Sequence, residues 1–364
     1  MLGVRMKNDI NLENILEIYE KEISKNVKNK KQVYHFEINK IQNINNIIIM
    51  LNNGIVGHTK YNIFLVYEPK CRLVMSLSVK DKIINHFVTR YCLEKKLTKY
   101  LDDRKCATRK NMGTDYALQL TKKFIEKNKK YGDFYVLKLD IAKYFYSIDH
   151  EVLKSLLIDK LDQYEFNVIS NIIDSINHDY IVYEVDRIMK EKNMVLPRPE
   201  MGKGLPIGNI TSQFLSIYYL YKIDHFIVHT LRLSSYVRYM DDFIIMSPSL
   251  EKLKDAELKL KEKLENEYKL KVHNKKTMIV NIKHGFSFLG YTFKVQNKKT
   301  IITLKRSNYE RIKKKIKKVR YDYKQNNISL YGAFCSIMTY YYGYKYCNQT
   351  RLRNLIERYF YNEK

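Results

Sequence analysis

Apolar positions along the chain switch repeatedly between helical and strand spacing. Leu12, Ile15, Leu16, Ile18, Tyr19 and Ile23 recur at helical intervals among charges, which predicts a basic amphipathic helix over about 11–29. NIFLVYEPKCRLVMSL, from Asn62 to Leu77, predicts two strands around a turn at Glu68 to Cys71. Helical periodicity returns over Asp81 to Leu101 and again beyond the basic connector DDRKCATRKNMG. YVLKL, Tyr135 to Leu139, reads as a strand ending at Asp140, and a helical stretch starts at His150. Residues from about 178 to 200 read as irregular, with Pro197 and Pro199 marking a loop. A helix over Ile210 to His229 precedes YVRYMDDFIIMS, Tyr236 to Ser247, in which two apolar runs flank adjacent aspartates as in a hairpin. A charged helix (Leu250 to Tyr268), a short strand near Lys275 to Val280 and the apolar run FSFLGYTFKV (Phe286 to Val295) follow. The remainder reads as helical and basic: RIKKKIKKVR, Arg311 to Arg320, is seven-tenths cationic, and SIMTYYYGYKYC crowds tyrosines around Lys345. Cations interleaved with aromatics suit a surface that tracks a nucleic-acid backbone, and equally suit a solvated face over a tyrosine-rich core.

Composition sharpens this picture. With 364 residues, 45% of them hydrophobic, the chain can bury a sizeable core divided among subdomains. Sixty-six Lys and Arg against 39 Asp and Glu leave a formal charge of +27, the footprint of a phosphate-rich partner. A general bias toward Lys, Asn, Ile and Tyr accounts for part of that excess. Five cysteines without CxxC spacing point to free thiols and to no zinc site. No run of about 18 uncharged apolar residues occurs and the N-terminus lacks a signal-like stretch, so a cytoplasmic location and no membrane partner are expected.

Asp241 and Asp242 can be simple turn residues, since Asp tolerates unusual backbone angles. If the strand ending at Asp140 neighbours their hairpin, however, three carboxylates converge. Mg²⁺ takes oxygen ligands and is typically held by one or two carboxylates plus substrate phosphates. Two ions roughly 3.5 to 4 Å apart serve in-line phosphoryl displacement.

LKLDIAKYFYSIDH (137–150), KGLPIGNITSQFLSIYYLYKID (203–224), RYMDDF (238–243), NKKT (274–277) and FSFLGY (286–291) occur in an order that resembles reverse transcriptases, from about Tyr67 to Tyr291. The resemblance implies an α+β right-hand polymerase with an antiparallel palm sheet, α/β fingers and a helical thumb. On that pattern 1–60 is a basic helical N-terminal extension, 61–135 the fingers, 136–295 the palm with a helical insertion at about 151–200, and 296–364 the thumb. Asp140 and Asp241 then resemble the metal-binding carboxylates, Asp242 their less directly ligating neighbour, and the Ile141 carbonyl a further ligand for two Mg²⁺ ions, with Mn²⁺ the alternative ion. Phe145 resembles the gate that excludes a ribose 2′-OH, a core phenylalanine being the alternative. Lys70 and Arg72 resemble the cations that clamp the incoming triphosphate, alongside Gly208 and Gln213. Lys276 resembles the lysine that protonates the leaving pyrophosphate. Asn209, Ser212, Tyr239, Met240, Leu289, Gly290 and Tyr291 resemble template and primer contacts, FSFLGY being similar to a primer grip. Gly208 is expected to let the backbone approach the template–nucleotide pair.

GLPIGNITSQ with YMDD resembles the enzymes of bacterial diversity-generating retroelements and some related bacterial enzymes. This implies copying of an RNA template from a DNA or RNA primer with dNTPs, with poor fidelity at adenines and a small basic accessory protein. Antiphage-defence synthesis, template-independent or protein-primed addition, and an RNA-binding module with a vestigial site are the alternatives. The sequence shows no RNase H carboxylate set, maturase zinc motif or endonuclease cluster.

Overall fold

The computed structural model describes residues 6–27, 29–56, 60–67, 71–109, 112–347 and 350–360. Three N-terminal helices, α1 (Leu12–Ile18), α2 (Lys30–Ile38) and α3 (Lys40–Asn52), pack on α4 (Val79–Val88). Asn11 opens α1 by accepting from the Asn14 amide, and Ser78 opens α4 by accepting from the Asp81 amide. From α1 the chain runs on as a π turn through Ile23, and from α4 through a π turn into α5 (Lys95–Leu97). The expected helix forms but is not basic: over Leu12–Ile23, Glu13, Glu17, Glu20 and Glu22 face a single Lys21. Its Ile15, Ile18, Tyr19 and Ile23 are buried in the main core, so the element belongs to the body of the molecule.

Strands β1 (Asn62–Val66) and β2 (Arg72–Ser76) form the expected antiparallel hairpin. After α6 (Thr114–Lys129) comes β3 (Tyr135–Asp140), then the single turn α7 (Tyr144–Ser147) and helices α8 (His150–Leu157) and α9 (Gln163–Asp174). Asp149 caps α8, and Asp162 with Glu165 forms a capping box on α9. The stretch read as irregular is instead half helix, α10 (Asp179–Lys192). Ile181, Val185 and Ile188 form the buried stripe of α10, and they pack under Leu73 and Met75 of the hairpin. Only the part beyond, with Pro197 and Pro199, is loop.

Helices α11 (Ile210–Tyr219) and α12 (Tyr221–His225) lead to β4 (Tyr236–Tyr239) and β5 (Asp242–Ser247). Helix α13 (Leu250–Tyr268) and β6 (Met278–Asn281) complete a four-stranded antiparallel sheet of order β4-β5-β3-β6. Strict alternation divides its side chains between two cores. Leu137, Leu139, Tyr236, Phe243 and Ile245 join the large core with α11 and α13. Val136, Val237, Ile244 and Met246 join a second core built by α6 and a further hairpin, β7 (Phe286–Phe288) and β8 (Tyr291–Gln296). The region expected to be wholly helical from 296 begins with β9 (Lys299–Leu304), because KTIITL pairs along all six residues of β8. The basic helices α14 (Arg306–Lys324), α15 (Leu330–Gly343) and α16 (Thr350–Phe360) follow, gathered around Ile312, Ile316, Leu352 and Leu355. All five cysteines are free, and among the described residues no helix is long and apolar enough to cross a membrane.

Candidate active site

Central strand β3 and hairpin strand β5 are paired in a register that sets Asp140 directly opposite Asp242. Asp140 and Asp242 share the face of Val136, Ile244 and Met246, while Asp241 occupies the two-residue turn joining β4 to β5. That turn carries φ +55° at Met240, the left-handed region that a tight hairpin loop demands and that a non-glycine residue resists.

A buried charge network holds this strained turn. Arg238 donates from Nε and Nη2 to the two oxygens of Asp224 at 2.7 Å each, from Nη2 to the Ile217 carbonyl at 3.0 Å, and from Nη1 to the Met240 carbonyl at 2.8 Å. Lys105 Nζ lies 3.2 Å from Asp224, Tyr236 donates its hydroxyl to the same carboxylate, and Lys105, Asp224 and Arg238 are each only 1% exposed. Burial pushes the Asp224 carboxyl up, but Arg238 and Lys105 more than offset this and hold it below the usual carboxylate range. None of Lys105, Asp224 or Arg238 was singled out from sequence. The one available signal was a charged Arg inside the apolar strand YVRY, which a sheet interior tolerates only with partners.

Two lysines face the carboxylates. Lys276 Nζ sits 2.9 Å from Asp140 Oδ1, and Lys138 Nζ sits 3.2 Å from Asp242 Oδ1 and 3.4 Å from Oδ2. Only the Oδ2 contact of Lys138 has hydrogen-bond geometry, so Asp242 Oδ1 is a buried carboxylate oxygen with a cation beside it and no hydrogen bond. Asp241 has no such lysine contact. Burial, with the charges of Asp140 and Asp242 added, pushes its carboxyl up to about 6. Burial also raises Asp242, against the pull of Lys138.

This donor set fits a divalent cation. Its oxygens are hard ligands, one of them lacks a hydrogen bond, and three like charges meet two lysines. The Ile141–Val272 bridge is closed by the Asp140 carbonyl and the Ala142 amide, which turns the Ile141 carbonyl to the β5 side of β3. Among the described residues no three His, Cys, Asp or Glu side chains cage an ion unaided, as expected where substrate phosphates and water supply the rest.

The other expected residues divide. Arg72 is exposed at the start of β2, close enough to Tyr146 to influence its hydroxyl, and Lys70 lies outside the described residues. Phe145 is half-buried beside Tyr144, and its carbonyl accepts from the Leu205 amide at 2.7 Å. Tyr239 is half-buried with its hydroxyl 3.5 Å from Thr114, and Gln213 is half-buried on α11. Leu289 and Gly290 form the β7–β8 turn, both at positive φ, and the Gly290 carbonyl accepts from the Lys305 amide and Asn308, pinning that turn to α14.

Of the remaining expected contacts, Gly208 is exposed, whereas Asn209, Ser212 and Tyr291 are buried against protein. Gly208, at φ +121°, brings its backbone against Val74 and Met75 of the β1–β2 hairpin: a Cβ there would lie 3.1 Å from Val74 Cγ1. The Ile207 carbonyl accepts from the Met75 amide at 2.9 Å, while Gly208 itself stays exposed. Asn209, 3% exposed, donates to the Tyr61 hydroxyl at 3.4 Å, and Ser212 is 2% exposed. Tyr291 is buried against Tyr344, its hydroxyl donating to the Gly343 carbonyl. Asn209, Ser212 and Tyr291 serve the scaffold that aims the site, because the start of α11 and the residue after the β7–β8 turn bury their polar groups.

The sheet, the carboxylate turn and the helical layers define a right-hand polymerase. Residues 60–293 match the family model for reverse transcriptase (RNA-dependent DNA polymerase). That is more than half of the chain, and the chain belongs to this family. Among solved structures it is similar to apo telomerase from Candida Tropicalis truncated from the C-terminal domain, at 14% identity and a TM-score of 0.48, covering 67% of this chain and 55% of that one. It is also similar to telomerase from Candida albicans in complex with a TWJ fragment of telomeric RNA, at 15% identity and a TM-score of 0.45, covering 73% and 50%. The chain thus spans about half the length of these two solved chains. No curated protein matches it.

Proposed function

We propose that the chain copies an RNA template into DNA, extending a DNA or RNA primer with dNTPs. The observation that carries this is the pairing of Asp140 with Asp242 beside Asp241, half-buried in the turn that Met240 holds at φ +55°, its carboxyl pushed up by burial and by the other two carboxylates. Asp140, Asp241 and the Ile141 carbonyl would hold two Mg²⁺ ions, or Mn²⁺ in their place. Bound there, the ions supply positive charge to the attacking and leaving oxygens of an in-line displacement. Lys276 would give a proton to the leaving pyrophosphate, and Arg72 and Lys70 would clamp the triphosphate. Phe145 bars a 2′-OH by its bulk. Residues 61–135 act as fingers, 136–295 as palm and 296–364 as thumb, with the cationic face of α14 toward the nucleic-acid backbone.

The pairing of GLPIGNITSQ with YMDD supports a role in a diversity-generating retroelement, working with a small basic accessory protein. Primer extension on a defined RNA template, with Mg²⁺ and sequencing of products, tests both levels. Template-dependent cDNA that vanishes in folded Asp241→Ala protein is expected. Errors concentrated at template adenines support the retroelement role, and uniform fidelity favours cDNA synthesis for antiphage defence. Incorporation without template, or none with any divalent ion and RNA from the native locus, overturns the proposal.

A further inference from the structure

Lys138 is a lysine in the middle of a sheet. It lies on β3, flanked by Ile244 of β5 and Met278 of β6, on the face that carries Val136 and the second apolar core. Its side chain is 18% exposed. An ammonium so placed is costly unless its donors are used, and two partners account for it. Nζ donates to the Ser287 carbonyl of β7 at 2.8 Å and to Asp242 Oδ2 at 3.4 Å, with Oδ1 at 3.2 Å. Ser287 is held in turn by the β7–β8 ladder opposite Thr292, two residues before the Leu289–Gly290 turn.

We propose that Lys138 is a positioning residue that ties the primer-side hairpin β7–β8 to the carboxylate turn. The hairpin is otherwise attached at its far end, where the Gly285 and Val295 amides donate to the Ile282 carbonyl, and by apolar packing of Phe286 and Phe288 in the second core. Apolar contacts resist separation but set no direction, whereas a charge-assisted hydrogen bond fixes one atom against another. Lys138 fixes the Ser287 backbone relative to Asp242, next in sequence to Asp241. A primer end resting on the hairpin turn is thereby held in register with the reacting centre, where a misplacement of about 1 Å can cost on the order of 10²-fold in rate. Arg238 holds the same turn from the opposite face through Met240, so the two aspartates are clamped from both sides of the sheet.

The inference rests on the polymerase reading, and the two fail separately: a wild type that extends nothing refutes that reading, whereas the variants below bear on Lys138 in an active enzyme. In single-turnover extension of an annealed primer–template, Lys138→Met is expected to slow the maximal rate at least tenfold. The dissociation constant for primer–template and the half-saturating dNTP concentration stay within threefold. Lys138→Arg, which keeps the charge and the donors, recovers most of the rate, and Lys138→Gln, the milder neutral change, falls between. Combined with Asp242→Asn, Lys138→Met should add little further loss, since both cut one link. Three results overturn the inference: an unchanged maximal rate in Lys138→Met or Lys138→Gln, a loss confined to primer–template affinity, or a fully additive double variant. A loss that follows the melting temperature without rescue by arginine also counts against it.

Discussion

Replacing Arg238 with methionine separates the buried charge network into its parts. The substitution removes two charge-assisted bonds to Asp224 and two bonds to the Ile217 and Met240 carbonyls. Removing one member of a buried ion pair costs about 3–5 kcal/mol, because the partner stays buried with its charge uncompensated. Here Lys105 and Tyr236 still face Asp224, which keeps the loss nearer the lower figure, while the two unsatisfied carbonyls add to it. At roughly 2–4 °C per kcal/mol for a large domain, the melting temperature should fall about 10 °C. Lys105→Met is the control. It leaves Asp224 neutralised by Arg238, and Lys105 is itself penalised: burial pulls its ammonium below the usual lysine range, with Asp224 only partly offsetting this. An ammonium held more weakly in the folded than in the unfolded chain lowers stability at pH 7, so its removal should cost less than about 1 kcal/mol. Thermal melting followed by circular dichroism compares the three proteins. Arg238→Met must also lose extension rate at temperatures where it remains folded, since the Met240 carbonyl has lost its donor. Equal falls for Arg238→Met and Lys105→Met, or a fall under about 2 °C for the former, would refute the assignment of Arg238 as the anchor of the turn.

Asp241 should show its raised carboxyl in chelator. The folded protein binds that proton more tightly than the unfolded chain, so stability is lost as pH rises from the unfolded carboxylate value toward about 6, and Asp241→Asn should flatten this dependence in denaturant titrations. Because a cation needs the carboxylate, the Mg²⁺ concentration that half-saturates extension should fall as pH rises through the same range. Gly208→Ala forces both a positive φ and a 3.1 Å contact with Val74, and should destabilise by about 1–3 kcal/mol, read by urea titration; an unchanged midpoint would show that the β1–β2 hairpin moves freely from α11. Phe145→Ala should raise ribonucleotide incorporation relative to dNTP at least tenfold, measured by competition in the extension assay, and equal discrimination would return Phe145 to a core role.

The local sequence was enough for the β1–β2 hairpin, the strand ending at Asp140, a hairpin at the aspartate pair and helix α13, because each has a clear period and sharp turn or cap residues; the hairpin's turn falls one residue early, at Met240–Asp241, with Asp242 already in β5. Asp140, Asp241, Asp242 and Lys276 were legible as ordered motifs. Tertiary structure decided the rest. Helix α10 has its buried positions Ile181, Val185 and Ile188 at helical spacing, but exposed Val182 and Tyr183 between them blur the period, and the stripe has meaning only against Leu73 and Met75. Strand β9 exists because β8 offers it a ladder. Asn209, Ser212 and Tyr291 have side chains that suit nucleic acid, but helix and hairpin packing places them inside. Lys105, Lys138, Asp224 and Arg238 stand far apart in the chain, and their roles arise from charges brought together where water is excluded, an energy that depends on distances no local pattern encodes.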